Sequence, residues 1–225
     1  MKLELNKNKI ILDLCGGTGS WSLPYKEAGY DVRVLTLPDF DVRDWKNRWL
    51  GKFESSVYGI LAAPPCTMFS FARTNAKKPR NLQEGMECVR ACLDIIWSFN
   101  EVIQQTASKK VPLQFWALEN PYHGFLPQFL GKPAFTFDPW EFGDGYQKRT
   151  ALWGHFNEPI KIPVKMTAKA KAKAKTNSYL HTLGTKFDYL KSKDIHPEAF
   201  GKFDRQTRRS ITPAGFAKAF FEANQ

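Results

Sequence analysis

The chain of 225 residues, 43% hydrophobic and 14% aromatic, is long enough for one core of ordinary size with at most a small appendage. Its net charge of +11 argues for a polyanionic partner, and residues 157–225 carry +8 of it, from eleven Lys and three Arg against six acids. No apolar run approaches a membrane span, no repeat has a solenoid period, and four cysteines without a signal peptide point to a reducing cytoplasm, not a disulfide scaffold.

Lys9 to Leu14 is an apolar, β-branched run that reads as a first buried strand. It enters Cys15-Gly16-Gly17-Thr18-Gly19-Ser20, and Trp21 to Ala28 then reads as a short helix closed by Gly29. Strand, glycine turn and helix open a mononucleotide-binding βαβ unit, in which glycines let the backbone approach a ligand. The pattern is G-G-x-G, not G-x-G-x-x-G, and with Asp13 at the strand end it suits a methionine-derived sulfonium cofactor better than a pyrophosphate. A second strand, Tyr30 to Leu35, is followed by Asp39, Asp41 and Asp44. A carboxylate beyond such a strand serves a cofactor ribose, a turn or a helix N-cap, and Asp44 is best placed to cap the helix that opens at Trp45.

Gly59 to Ala63 is a buried strand stopped by Pro64-Pro65, which puts Cys66 on the loop past its carboxyl end, where open α/β sheets hold ligands. The basic loop Arg73 to Arg80 is a candidate to close over a substrate phosphate, or a solvated surface loop. Leu82 to Gln105 has helical periodicity, with its Met and Trp read as core. Cys88 and Cys92 on this helix have no partner at zinc-like spacing, so they read as packing and no metal is expected. Pro112 to Pro121 repeats the buried strand ending in a polar pair, bringing Glu119 out on the rim that holds Cys66. A carboxylate there tends to titrate high, as suits a group that shares a proton.

Two aromatic strands follow, Phe135 to Trp140 and one leading into Thr150 to Gly154, with Gln147 and Arg149 placed on one face by alternation. The pair suits a base edge or a phosphate. Alternating Ala and Lys from Lys165 to Lys175, including Lys169, Lys171 and Lys173, cannot pack and reads as a solvated basic arm. The last helix takes Thr212 as N-cap and Pro213 in its first turn.

In this order, Asp13-Leu14-Cys15-Gly16-Gly17-Thr18-Gly19, Pro64-Pro65-Cys66, Glu119-Asn120-Pro121, Gln147-Lys148-Arg149 and the Thr212-Pro213 helix resemble the DNA cytosine C5-methyltransferases, most of all short bacteriophage members. The resemblance implies an α/β, Rossmann-like sheet that binds S-adenosylmethionine. Residues 1–155 and 207–225 would form the catalytic domain, and residues 156–206 a minimal target-recognition segment. By resemblance Cys66 is the nucleophile, Glu119 holds the ring edge, Arg149 contacts the base and Asn120 braces the Cys66 loop. Asp13, Cys15, Gly16, Gly17, Thr18, Gly19, Trp21, Asp39, Asp41 and Pro64 would form the cofactor site. Arg73, Gln147 and the arm lysines would meet DNA, whose cytosine must be flipped or single-stranded to reach the thiol. The chain departs from the family at Cys15, where an aromatic is usual, at the end of strand two, where the acid is missing or displaced to Asp39, and at Ala151, where a second arginine is expected. The short recognition segment implies loose target specificity. Two other readings are C5 modification of a free pyrimidine nucleotide and a non-catalytic nucleic-acid-binding module.

Overall fold

The computed structural model describes residues 6–49, 57–73, 76–105, 113–164 and 199–225. The Lys-Ala arm, with Lys169, Lys171 and Lys173, lies outside the described residues. The strands are β1 (Ile10–Leu14), β2 (Asp31–Leu35), β3 (Val57–Ala62), β4 (Phe115–Pro121), β5 (Phe135–Phe137) and β6 (Thr150–His155). The helices are α1 (Leu23–Glu27), α2 (Trp45–Trp49), α3 (Leu82–Gln105), α4 (Leu126–Leu130), α5 (Arg205–Ser210) and α6 (Ala214–Ala223).

The strands form one six-stranded mixed sheet in the order β2-β1-β3-β4-β6-β5, compatible with a Rossmann-like fold. β2, β1, β3 and β4 are mutually parallel, while β6 runs antiparallel to both β4 and β5. All of β1 is buried, which is why its sequence is apolar on both faces, Asp13 excepted, and not alternating. Ile10, Leu12, Leu14, Ile60, Ala62 and Leu118 share one core with Val89, Cys92, Ile95 and Ile96 of α3. Ile11, Leu61, Phe115 and Ala117 share the second with Tyr25 of α1 and Phe216, Ala217 and Phe220 of α6. The sheet therefore sits between two helical layers.

Several local expectations are corrected by tertiary contacts. Trp97 is half exposed and not core. Asp41, not Asp44, caps the turn before α2: it accepts from the Arg43 backbone at 2.9 Å, and Asp44 lies inside the 3-10 turn Val42–Asp44. The segment Gln147 to Arg149 precedes β6, so strand alternation does not apply to it. At the C-terminal end a helix that was not expected, α5, precedes the predicted one, and the predicted cap is displaced by one residue. Pro213 occupies the N-cap of α6 without a side-chain bond, while the Thr212 N–H donates to Ser20 Oγ at 2.8 Å. The α6 N-terminus is served instead by Asp144, whose Oδ2 accepts from Gly215 N at 3.0 Å.

Candidate active site

The chain passes from β1 to β2 on one side and returns to β3 on the other, so the order reverses between β1 and β3. The crevice beyond the carboxyl ends of these strands is the topological switch point at which open α/β sheets bind ligands. The glycine loop leaves β1 there and Pro64-Pro65-Cys66 leaves β3 beside it.

The glycine loop is built for close approach. Cys15, Gly17 and Gly19 have φ of 55°, 54° and 69°, and a Cβ on Gly16 would run into the Asp13 carboxyl. Asp13 is fully buried. Its Oδ2 accepts from Ser22 Oγ at 2.6 Å, its Oδ1 has no partner, and burial pushes its pKa up to about 6. An orphaned buried carboxylate oxygen under a glycine cradle fits a polar nucleoside-type cofactor. Two residues assigned to this site have other surroundings. Trp21 is buried between Phe216 and Phe220, at ring centroids 6.0 and 5.5 Å, and Cys15 packs against the core that contains Cys92 of α3. Beyond β2, Asp39 is exposed and Asp41 is held by Arg43 at 2.6 Å.

The Cys66 turn is braced from three sides. Pro65 caps a 3-10 turn, Cys66–Met68, in which Phe69 N and Ser70 N both donate to the Cys66 carbonyl at 2.9 Å. The Asn120 Nδ2 donates to the carbonyl of buried Pro64 at 3.0 Å. Arg80 donates to the Met68 carbonyl and, at 3.1 Å, to that of Ser70, with its guanidinium over the Phe125 ring. Phe125 N donates to Phe69 O at 3.1 Å, a close approach for which Gly124 is needed, since a Cβ there would lie 2.9 Å from that oxygen.

Leu118 pairs with Ala62, so Glu119 and Asn120 are the first residues of β4 to extend past the end of β3. This brings the Glu119 carboxyl near the half-buried Cys66 thiol, and each group is pushed up chiefly by burial. A negative charge on Glu119 raises the thiol further; Lys148 draws both groups down, and Arg209 draws down the thiol. The cation facing the pair is thus Lys148. Arg149 turns to Asp138 at 3.3 Å, Thr136 at 2.9 Å and Glu141 at 3.7 Å. Gln147 is buried, with its Nε2 unpartnered. Lys148 was hidden in the sequence because alternation was applied to a segment that is not a strand. Arg209 was hidden because no helix is expected just before Thr212, whereas Arg205–Ser210 form one. That helix, α5, reaches the crevice through Gln206, whose Nε2 lies 3.5 Å from Thr67 Oγ1. Arg73, on the basic loop, donates to the Lys78 carbonyl at 2.8 Å.

A separate cavity of about 280 Å³ beside α3, lined by Arg43, Trp45, Lys46, Glu87, Arg90 and Asp94, contains neither Cys66 nor Glu119. Among the described residues there is no cluster of three or more His, Cys, Asp or Glu fit to hold a metal, and no helix long and apolar enough to cross a membrane. A scan against protein-family models matches none, and a search of curated proteins finds no match.

Proposed function

We propose that the chain methylates C5 of cytosine in DNA, as the DNA cytosine C5-methyltransferases do. The observation that carries this reading is the convergence of the Cys66 thiol and the Glu119 carboxyl beyond the ends of adjacent strands, with Lys148 facing both. Cytosine C5 is a weak nucleophile. A Cys66 thiolate that bonds to C6 drives the C5–C6 π pair toward C5, while Glu119, holding its proton unusually well, protonates or hydrogen-bonds N3. Lys148 and Arg209 favour the thiolate and the charge that builds on the ring. S-adenosylmethionine would be held by Gly16, Gly17, Thr18, Gly19 and Asp13, and would supply the methyl group to C5, its sulfur leaving as the thioether of S-adenosylhomocysteine. Loss of the C5 proton to a base then restores the C5–C6 double bond and expels the Cys66 thiolate. Asn120 and Arg80 hold the turn on which the thiol stands.

The test is incubation with methyl-labelled S-adenosylmethionine and DNA, followed by nucleoside analysis. Label is expected in 5-methylcytosine with the native chain and not with Cys66→Ser. Label on adenine N6, or undiminished labelling with Cys66→Ser, overturns the reading.

A further inference from the structure

The loops after β3 and β4 meet above the Cys66 turn. Ser70 bridges Gly124, and Phe71 N donates to His123 O at 3.1 Å. This pairing brings two large rings to the surface at the mouth of the crevice: Phe71, 51% exposed and five residues past the thiol, and Tyr122, 41% exposed and three past Glu119. Neither ring is loose. Phe71 stands edge-on against Phe125 at 5.0 Å, and Tyr122 against His123 at 5.3 Å, so each is fixed with part of its surface in water.

The chain around these rings is basic on both banks. Between Glu54 and Glu84 there are four cations, Arg73, Lys77, Lys78 and Arg80, and no acid. Arg73 and Arg80 donate to backbone carbonyls, and among the described residues neither forms an ion pair. Across the crevice, Arg205 and Arg209 of α5 are exposed, with Gln206 reaching Thr67. A duplex keeps its base faces stacked inside and offers phosphates and groove edges, but no base faces, to such a surface. A single strand offers phosphates to the cations and unstacked base faces to the rings.

We infer that the mouth of the crevice is a binding surface for single-stranded DNA, with Phe71 and Tyr122 stacking the bases that flank the target. The identification of the strand as DNA rests on the methyl-transfer reading; the stacking surface does not. A target in a single strand needs no extrusion from a helix before it reaches Cys66.

Fluorescence anisotropy with a labelled oligonucleotide of about 16 nucleotides, its duplex and the RNA of the same sequence tests the inference. The single DNA strand is expected to bind about tenfold tighter than the duplex. Phe71→Leu and Tyr122→Leu keep apolar bulk under the loops and remove the aromatic face. Each is expected to weaken single-strand binding roughly 5- to 150-fold, the span of one lost base stack, and to leave duplex binding within about twofold. Duplex binding as tight as single-strand binding, unchanged affinity in both leucine variants, or tighter binding of the RNA overturns it. Nucleoside analysis separates the two proposals. Ring-dependent single-strand binding without 5-methylcytosine removes the catalytic reading alone, and methylation of duplex only removes this one alone.

Discussion

At the scale of single residues, the candidate site is a balance of burial against charge, and that balance has a measurable sign. Burial and the Glu119 charge both raise the Cys66 thiol, whereas Lys148 lowers it. Alkylation of Cys66 by iodoacetamide, followed by mass spectrometry across pH, is therefore expected to be slow at neutral pH and to climb only in the alkaline range. Glu119→Gln should move the midpoint to lower pH and Lys148→Met to higher pH; the reverse order would remove Glu119 and Lys148 from the thiol's surroundings. Asp13 gives a second sign. Its native pKa, raised from 3.8 to about 6, means that the folded chain binds this proton more tightly than the unfolded one. Its contribution to stability is thus most favourable below about pH 4, falls between pH 4 and 6, and stays low above that, a difference of roughly 3 kcal/mol. Asp13→Asn should raise Tm at pH 8 and leave it nearly unchanged at pH 4 in thermal melts. The strand-end position of Asp13 was legible in the sequence, and so were Cys66 and Glu119, because each follows an apolar run cut short by glycine or proline. The positions of Lys148 and Arg209 beside the thiol were not, since Lys148 stands in irregular backbone, where no local pattern reports which way a side chain turns, and Arg209 sits on a helix not expected from the sequence.

At the scale of elements, the Cys66 turn is a single 3-10 turn with no side-chain cap of its own, so its shape depends on neighbours. Arg80 supplies two carbonyl contacts from a different loop. Arg80→Ala is expected to speed hydrogen exchange of the Phe69 and Ser70 amides at least tenfold, with a global stability loss of only about 1–2 kcal/mol. Equal exchange in the variant and the native chain would assign the bracing to Asn120 and Gly124 alone. Strands β1, β3 and β4 and helix α3 were readable because long apolar periodicity survives tertiary context. Helix α5 was not, and the cap of α6 was read one residue early: Thr212-Pro213 is a good local start signal, but the Thr212 N–H is drawn to Ser20, 192 residues away, and the cap falls on Pro213.

At the scale of the whole molecule, the sheet order was only partly legible. Parallel pairing of β1 with β2 and β3 follows from buried strands separated by helical segments. The placement of β6 between β4 and β5 does not, because Phe135–Phe137 and Thr150–His155 read as neighbours without saying which of them meets β4. The charge asymmetry also takes on a location: Arg209, part of the basic C-terminal third, stands beside the crevice that holds Cys66. The hydrogen bond from Thr212 to Ser20 and that from Gly215 to Asp144 then matter for the order of events in time. While the ribosome is still making residues beyond 200, the glycine loop lacks its strut and Phe216 and Phe220 have not yet covered the second face of the sheet. The nascent chain can pair its parallel strands but cannot finish the pocket until residues 212–220 have left the ribosome.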